Sequence, residues 1–390
     1  MEWVEKKSSE LYVSSSGLSK SSDQFGYGYP FLSYKDVFNN YYAPDKLSTL
    51  VNSTEKDRMK CSVKQGDVFL TRTSETTDEL GMSCVALHDY VNATFNGFTK
   101  RLRPLTDEIE PKYAAYYFRS PYFRSQCISL ASLITRASLN DGMIRRLKIR
   151  YPLNRKVQEK IGEILYTYDT LIENNNKRIR LLEKMAENLY KEWFVRFRFP
   201  GHENVEMENG LPKGWKVKKY EDEFNVKYGK GLPTDKLTKD GFPVFGSNGQ
   251  IGYYTSYMYE TPQILISCRG ASSGVVNISL PKSFITNNSL ICEMTNETES
   301  VFEYLKYCFL NTNLVQYQTG SAQPQITINN IVKLKLLIPS TDVQIKFADK
   351  VRTLDKEVGN LQHQNSLLAR QRDLLLPRLM SGKLEVKVKE

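Results

Sequence analysis

The sequence lacks most of what an enzyme or a membrane protein would need. Its three histidines, His88, His202 and His363, lie too far apart to complete a nucleophilic triad or a zinc site of ordinary spacing. The six cysteines (Cys61, Cys84, Cys127, Cys268, Cys292 and Cys308) contain no CxxC pair and mostly sit among apolar residues. That is the pattern of buried free thiols in a reducing compartment. No apolar run reaches the roughly 20 residues needed to cross a bilayer. The start, Met1-Glu2-Trp3-Val4-Glu5, has neither the basic residues nor the apolar block of an export signal. A cytoplasmic chain with no membrane segment is expected. GxGxxG is absent, and so is the Asn/Asp-Pro-Pro-aromatic motif of adenine methylation; Gly229-Lys230-Gly231 and Gly382-Lys383 lack the rest of a phosphate loop. Glu385-Val386-Lys387 matches part of a nuclease motif but lies in a charged C-terminal tail. No catalytic residue and no metal ligand is expected.

What is present is a globular composition, 40% hydrophobic and 25% charged, over 390 residues, enough for two or three domains. The net charge of +10 favours a polyanionic partner, and no basic tail carries it, so such a partner must meet folded surface.

The strongest signal is internal. Val157, Gln158, Lys160, Thr167, Asp169, Asn174, Leu181, Leu182 and Leu189 recur 186 residues later as Val343, Gln344, Lys346, Thr353, Asp355, Asn360, Leu367, Leu368 and Leu375. Each copy is preceded by an alternating strand closed by proline, Leu147–Pro152 and Leu334–Pro339. Both repeated segments follow the four-then-three spacing of a coiled-coil seam. In the first the seam runs Val157, Ile161, Ile164, Tyr168, Leu171, Asn175, Leu182, Met185, Leu189, Trp193, with a gap at Arg178. In the second it runs Val343, Phe347, Val351, Leu354, Val358, Leu361, Asn365, Leu368, Leu375, Leu379, with a gap at Arg372. Helices of about 154–197 and 341–376 are predicted, the second closed by Pro377, and each copy is the natural partner of the other. Ahead of the helices, Gly28–Leu32 resembles Gly241–Phe245, and Val68–Arg72 resembles Ile264–Arg269 with the arginine displaced by one. These regions read as strand-rich, each with a helical patch, Glu110–Ser120 and Val301–Asn311; extra residues in the first fall partly within 35–62. The aromatic group Tyr113, Tyr116, Tyr117, Phe118, Tyr122 and Phe123 suggests stacking on bases, but its helical spacing favours core packing.

In this order, several phrases resemble the specificity subunits of type I restriction–modification systems. They include Leu181–Phe194, Leu211-Pro212-Lys213-Gly214-Trp215, Phe245–Tyr253, Gly320–Ile326 and Arg372–Lys383. The resemblance implies an α+β chain in which two β-rich target-recognition domains are separated by an antiparallel coiled coil of two long helices, with a pseudo-two-fold internal repeat. The boundaries expected are 1–152 for the first domain, 153–199 for the central helix and 200–213 for a linker. Residues 214–340 then form the second domain, and 341–390 the C-terminal helix and tail. The resemblance further implies a non-catalytic subunit whose domains each read half of a bipartite double-stranded DNA target while the helices set the spacer. Two methyltransferase subunits and the restriction subunits are the implied partners. The chain itself binds no cofactor; S-adenosylmethionine, ATP and Mg are implied for those partners.

Phosphates call for Lys and Arg, and base edges for Arg, Asn, Gln and hydroxyls. The DNA-binding candidates in the first domain are Arg72, Lys100, Arg101, Arg103, Thr135, Arg136 and Ser138. In the second they are Ser247, Asn248, Arg269, Ser272, Ser273, Gln323 and Gln325. Any of these loops can equally be a plain surface turn. Candidates for subunit docking are Lys177, Arg178, Arg180, Trp193 and Phe197; Trp193 and Phe197 read equally well as packed on the second domain. Two competing readings are a coiled-coil adaptor that binds no DNA and a nuclease with an unrecognised site.

Overall fold

A computed structural model describes residues 2–388, apart from 75, 131, 134–136, 296–299 and 321–323. The chain folds as two compact units, residues 1–175 with 363–390 and residues 176–362. The division cuts both long helices, so each unit owns one part of each.

The two units have the same topology. In the first, a four-stranded antiparallel sheet has the order Tyr12–Ser16, Thr99–Pro104, Val68–Thr71, Ser83–Val85. In the second the order is Phe224–Tyr228, Ser289–Met294, Ile264–Ser267, Val276–Ile278. The strands Val68–Thr71 and Ile264–Ser267 are buried along their whole length, which explains the apolar runs Val68-Phe69-Leu70 and Ile264-Leu265-Ile266. A smaller sheet accompanies each: Phe25–Leu32 pairs with Leu50–Val51 and, in parallel, with Thr94–Phe95. Its counterpart Phe242–Gly246 pairs with Gly249–Tyr254 and, in parallel, with Phe284–Ile285. The proline-closed strands each gain an antiparallel partner, Trp3–Lys7 for Lys148–Pro152 and Lys216–Lys219 for Lys335–Ile338. The extra length of the first unit holds two short helices, Tyr34–Asn39 and Glu55–Lys60, each begun by a capping box (Ser33 with Asp36, Thr54 with Asp57).

Buried polar side chains repeat as well. Gln158 is fully buried; it accepts from the Glu110 amide (2.9 Å) and donates to the carbonyls of Glu108 (2.9 Å) and Pro152 (2.8 Å). Gln344, 186 residues on, accepts from the Val301 amide (2.8 Å) and donates to Pro339 O (2.8 Å). Tyr113 and Tyr304 donate to the carbonyls of Arg150 (3.1 Å) and Leu337 (2.5 Å), and Tyr116 and Tyr307 to the carboxylates of Asp169 and Asp355. The aromatic helix Pro111–Tyr117 is therefore core, as its spacing predicts; Tyr122, beyond it, is exposed and donates to Glu5 (2.8 Å). All six cysteines are free and buried, and burial pushes the Cys127 thiol up to about 12.

The first long helix spans Arg155–Tyr190 and ends in one wide turn, Lys191–Val195. Its buried side differs from the predicted seam. Leu165, Ile179 and Ala186 are buried, whereas Leu171 and Met185 are 45% and 56% exposed. Val157, Ile161, Leu165, Asn175, Ile179, Ala186, Tyr190 and Trp193 keep the roughly 3.6-residue period of a straight helix, whereas a 3.5-residue period drifts off the buried face. The second helix matches its predicted seam but runs through Thr341–Met380, with Pro377 inside its last turn. There a proline removes one hydrogen bond, and burial of Leu379 and Met380 in the first unit's core holds the turn closed.

Within each unit the two helix segments run antiparallel. In the first, Asn175 Nδ2 donates to Gln364 Oε1 and Asn365 Oδ1 (both 2.9 Å), so the seam asparagines meet. The gap at Arg372 is filled by an ion pair to Asp169. Burial works against the Arg372 charge, but Tyr41 and Asp169 outweigh it and raise its pKa. In the second unit the gap residue Arg178 pairs with Glu357 (2.8 Å), and Phe347 packs edge-on against Phe194 (4.9 Å).

The segment predicted as a linker is ordered in the second unit. Met207–Glu208 and Leu211–Pro212 form a hairpin closed by Asn209 and Gly210 at φ 52° and 80°, the Asn-Gly turn that a two-residue loop prefers.

Candidate nucleic-acid interface

In the second unit the candidate residues collect where the strand Ile264–Ser267 runs out. Cys268 N donates to Asn288 O (3.0 Å), and Ile326 N to Cys268 O (3.0 Å). The Ser247 hydroxyl donates to Asn288 O (3.4 Å), and Ser267 Oγ to Ser247 O. Arg269 and Gln325 face each other across an antiparallel bridge, and Gln325 exchanges two backbone hydrogen bonds with Thr319 (2.8 and 2.9 Å). Asn248, Arg269 and Gln325 are exposed; Ser247 and Ser272 are half-buried. Ser273 is 1% exposed, so its hydroxyl is not available to a ligand. Gln323 lies outside the described residues.

Lys230, which the sequence places only in the incomplete phosphate-loop fragment Gly229-Lys230-Gly231, joins this group. Its amide donates to Ile285 O (3.0 Å) and its carbonyl accepts from Asn287 N (3.1 Å), leaving the side chain exposed. A Cβ on Gly229 would lie 2.3 Å from the Thr286 carbonyl oxygen, so close backbone approach explains that glycine without any phosphate. Neither Lys230 nor Arg269 has an ion-pair partner among the described residues.

The first unit builds the same end of the sheet with other side chains. Leu18 N donates to Phe95 O (2.8 Å), Gly97 N to Leu18 O (2.9 Å), Arg72 N to Phe98 O (3.1 Å) and Leu139 N to Arg72 O (2.9 Å). A Cβ on Gly17 would lie 2.2 Å from Asn96 O. Bond for bond, Leu18 stands where Lys230 does, Phe98 where Asn288 does, Arg72 where Cys268 does, Thr73 where Arg269 does and Ser138 where Gln325 does. Arg72 and Ser138 are thus brought together, both half-buried, although the Arg72 Nε is buried with no partner among the described residues. Thr135 and Arg136 lie outside the described residues. Phe98, 56% exposed at the tip of the turn, was missed because a lone aromatic carries no sequence signal.

Lys100, Arg101 and Arg103 are a correction. Their strand is central to the sheet, so their cations are taken up internally. Lys100 is 4% exposed and donates to Asp141 (2.8 Å) and Ser16 (2.8 Å). Arg101, 7% exposed, reaches Ser62 O (2.6 Å). Arg103 grips the fully buried Asp67 with two hydrogen bonds (2.8 and 2.6 Å), which raise its pKa. These cations brace a fold and leave none to neutralise phosphate.

Of the docking candidates, Lys177 and Arg180 are exposed on the first helix, and Arg178 is held by Glu357. Trp193 is 6% exposed among Phe194 and Phe347, and Phe197 lies edge-on to Trp215 (5.5 Å). Trp193 belongs to the second unit's core and the half-buried Phe197 packs against it. Outward apolar residues on the long helices include Leu171, Leu367 and Leu374 in the first unit and Leu181, Met185, Val195 and Ile345 in the second. Among the described residues no His/Cys/Asp/Glu cluster could hold a metal ion, and no helix is long and apolar enough to cross a membrane.

Comparison with known proteins agrees with the repeat. A family model, the type I restriction modification DNA specificity domain, matches twice, over residues 2–184 and 212–369. The chain is 26% identical to the specificity subunit of the type I restriction enzyme MjaIX from Methanocaldococcus jannaschii, covering 99% of this chain and 94% of that one. It is 21% identical to the HindI specificity subunit of Haemophilus influenzae, over 91% and 94% of the two chains. The crystal structure of a type I S subunit from M. genitalium shares the fold, with a TM-score of 0.57 at 18% identity over 100% and 97% of the chains. With both copies of the repeat matched, the chain belongs to the type I restriction–modification DNA specificity family.

Proposed function

We propose that this chain selects the DNA site for a type I restriction–modification complex and performs no chemistry itself. Each unit reads one half of a bipartite target with the loops at the end of its four-stranded sheet. One observation carries the reading: two units of the same sheet topology present the same sheet end, and in the second it bears exposed Lys230, Arg269 and Gln325, the two cations without an ion-pair partner among the described residues. Lys and Arg there suit phosphate, and Arg, Asn and Gln suit base edges. A bipartite target follows from having two readers on one chain.

Two methyltransferase subunits are the proposed first partners, with restriction subunits joining them. S-adenosylmethionine, ATP and Mg belong to those partners. The exposed leucines and Met185 on the long helices supply apolar docking surface, flanked by Lys177 and Arg180.

A gel-shift series with and without the methyltransferase subunits tests this. Sequence-specific binding without cleavage is expected. No DNA binding in any combination would favour a coiled-coil adaptor, and metal-dependent cutting by the chain alone would favour a nuclease. Leu171→Glu with Leu374→Glu is expected to weaken co-purification of the methyltransferase subunit while leaving the circular dichroism spectrum unchanged.

A further inference from the structure

We propose that one pair of facing residues in each unit sets the half-site that unit reads: Arg269 with Gln325 in the second, Thr73 with Ser138 in the first. The proposal rests on the DNA-reading function above and names the residues that decide it.

The argument begins with the backbone. Thr73 and Ser138 are direct partners in an antiparallel ladder whose third member is Ser132. Arg269 and Gln325 are direct partners in the same way, and their third member is Thr319. Each ladder is anchored one residue away by a matching hydrogen bond, Leu139 N to Arg72 O (2.9 Å) and Ile326 N to Cys268 O (3.0 Å). Directly opposed residues of an antiparallel pair send their side chains to the same face, about 5 Å apart. Each unit therefore holds two adjacent side chains on a backbone fixed by the central sheet, and a rigid mount is what a base-reading contact needs.

The chemistry of the two pairs differs. Arg269 is exposed and can give guanine its two-pronged contact at O6 and N7; Gln325, exposed beside it, can pair with adenine at N6 and N7. Thr73 and Ser138 offer short hydroxyls, which accept several bases, and the threonine methyl suits thymine. The second unit is thus the more exacting reader at this position, with guanine next to adenine as its expected target. The rest of the frame is the same in both units, so the pair can be exchanged without moving the backbone around it.

The test uses the chain assembled with its methyltransferase subunits and reads the methylated motif in genomic DNA by sequencing. The parent motif is established first; absence of any motif and of any DNA binding would refute the DNA-reading function itself. The double variant Arg269→Thr, Gln325→Ser is expected to change or relax one half of the motif, losing about tenfold or more in discrimination there. The other half should stay intact. Arg269→Lys keeps the charge but loses the planar fork, so it should relax the same base while nonspecific binding and its salt dependence stay unchanged. Thr73→Arg with Ser138→Gln should alter the opposite half. An unchanged motif in any of these DNA-binding variants would overturn the proposal and leave the DNA-reading function standing. So would a uniform loss of binding to all sequences by Arg269→Lys, which would make the residue an anchor and not a reader.

Discussion

Gln158 is the most exacting test of how the first long helix is joined to its recognition unit. Its side chain is 0% exposed and holds three backbone groups, the Glu110 amide and the carbonyls of Glu108 and Pro152. Alanine leaves all three buried without that partner. Each unmet group costs about 1–3 kcal/mol, so Gln158→Ala is expected to cost at least about 3 kcal/mol. That corresponds to roughly a hundredfold faster amide exchange around Glu110 and the first turn of the helix. Hydrogen exchange read by mass spectrometry, with a urea titration beside it, measures both effects. Gln158→Glu keeps the acceptor but sets an anion against two carbonyl oxygens, and should be worse than alanine at neutral pH. Gln344→Ala provides the internal control, since it occupies the same place in the second unit. Exchange within threefold of the parent in Gln158→Ala would refute the argument, because it would mean water or relaxation meets those groups as well as the glutamine does.

Two further outcomes follow from ion pairs and from the helices. Burial disfavours the Asp141 carboxylate, but hydrogen bonds from Lys100 and Ser14 outweigh it and depress its pKa. A depressed folded-state pKa stabilises above the unfolded value, near 4, and that stability is lost as pH falls through the lower folded value. Asp141→Asn should therefore cost about 1 kcal/mol at pH 7, allowing for the half-exposed carboxylate, and the difference from the parent should vanish in urea titrations run progressively below pH 4. Inserting four residues into each long helix adds about 6 Å of rise; the unread gap in the methylated motif is expected to lengthen, and an unchanged gap would separate the helices from spacer length.

The register of the repeat, the strand before each helix and the burial of the aromatic helix were legible in the sequence, because each leaves a periodic trace that local physics must obey. Gln158 and Gln344 were visible as a conserved spacing between copies, though not as buried pins. The predicted seam went astray at Leu171 and Met185, since apolar residues on two sides of a helix fit more than one period until a partner chooses the face. The candidate interface was half legible. Loop composition picked out Ser247, Asn248, Arg269 and Gln325, which backbone hydrogen bonds bring to one end of a sheet. Charge alone also picked out Lys100, Arg101 and Arg103, which are internal braces.

By itself the sequence determined that one module occurs twice and that each copy ends in a long helix, because duplication and helical period are one-dimensional facts. Only the tertiary structure decided which cations remain for a ligand. A basic residue is free or consumed according to the carboxylates and carbonyls that folding brings beside it, and Asp67, Asp141 and Ser62 lie tens of residues from the cations they hold.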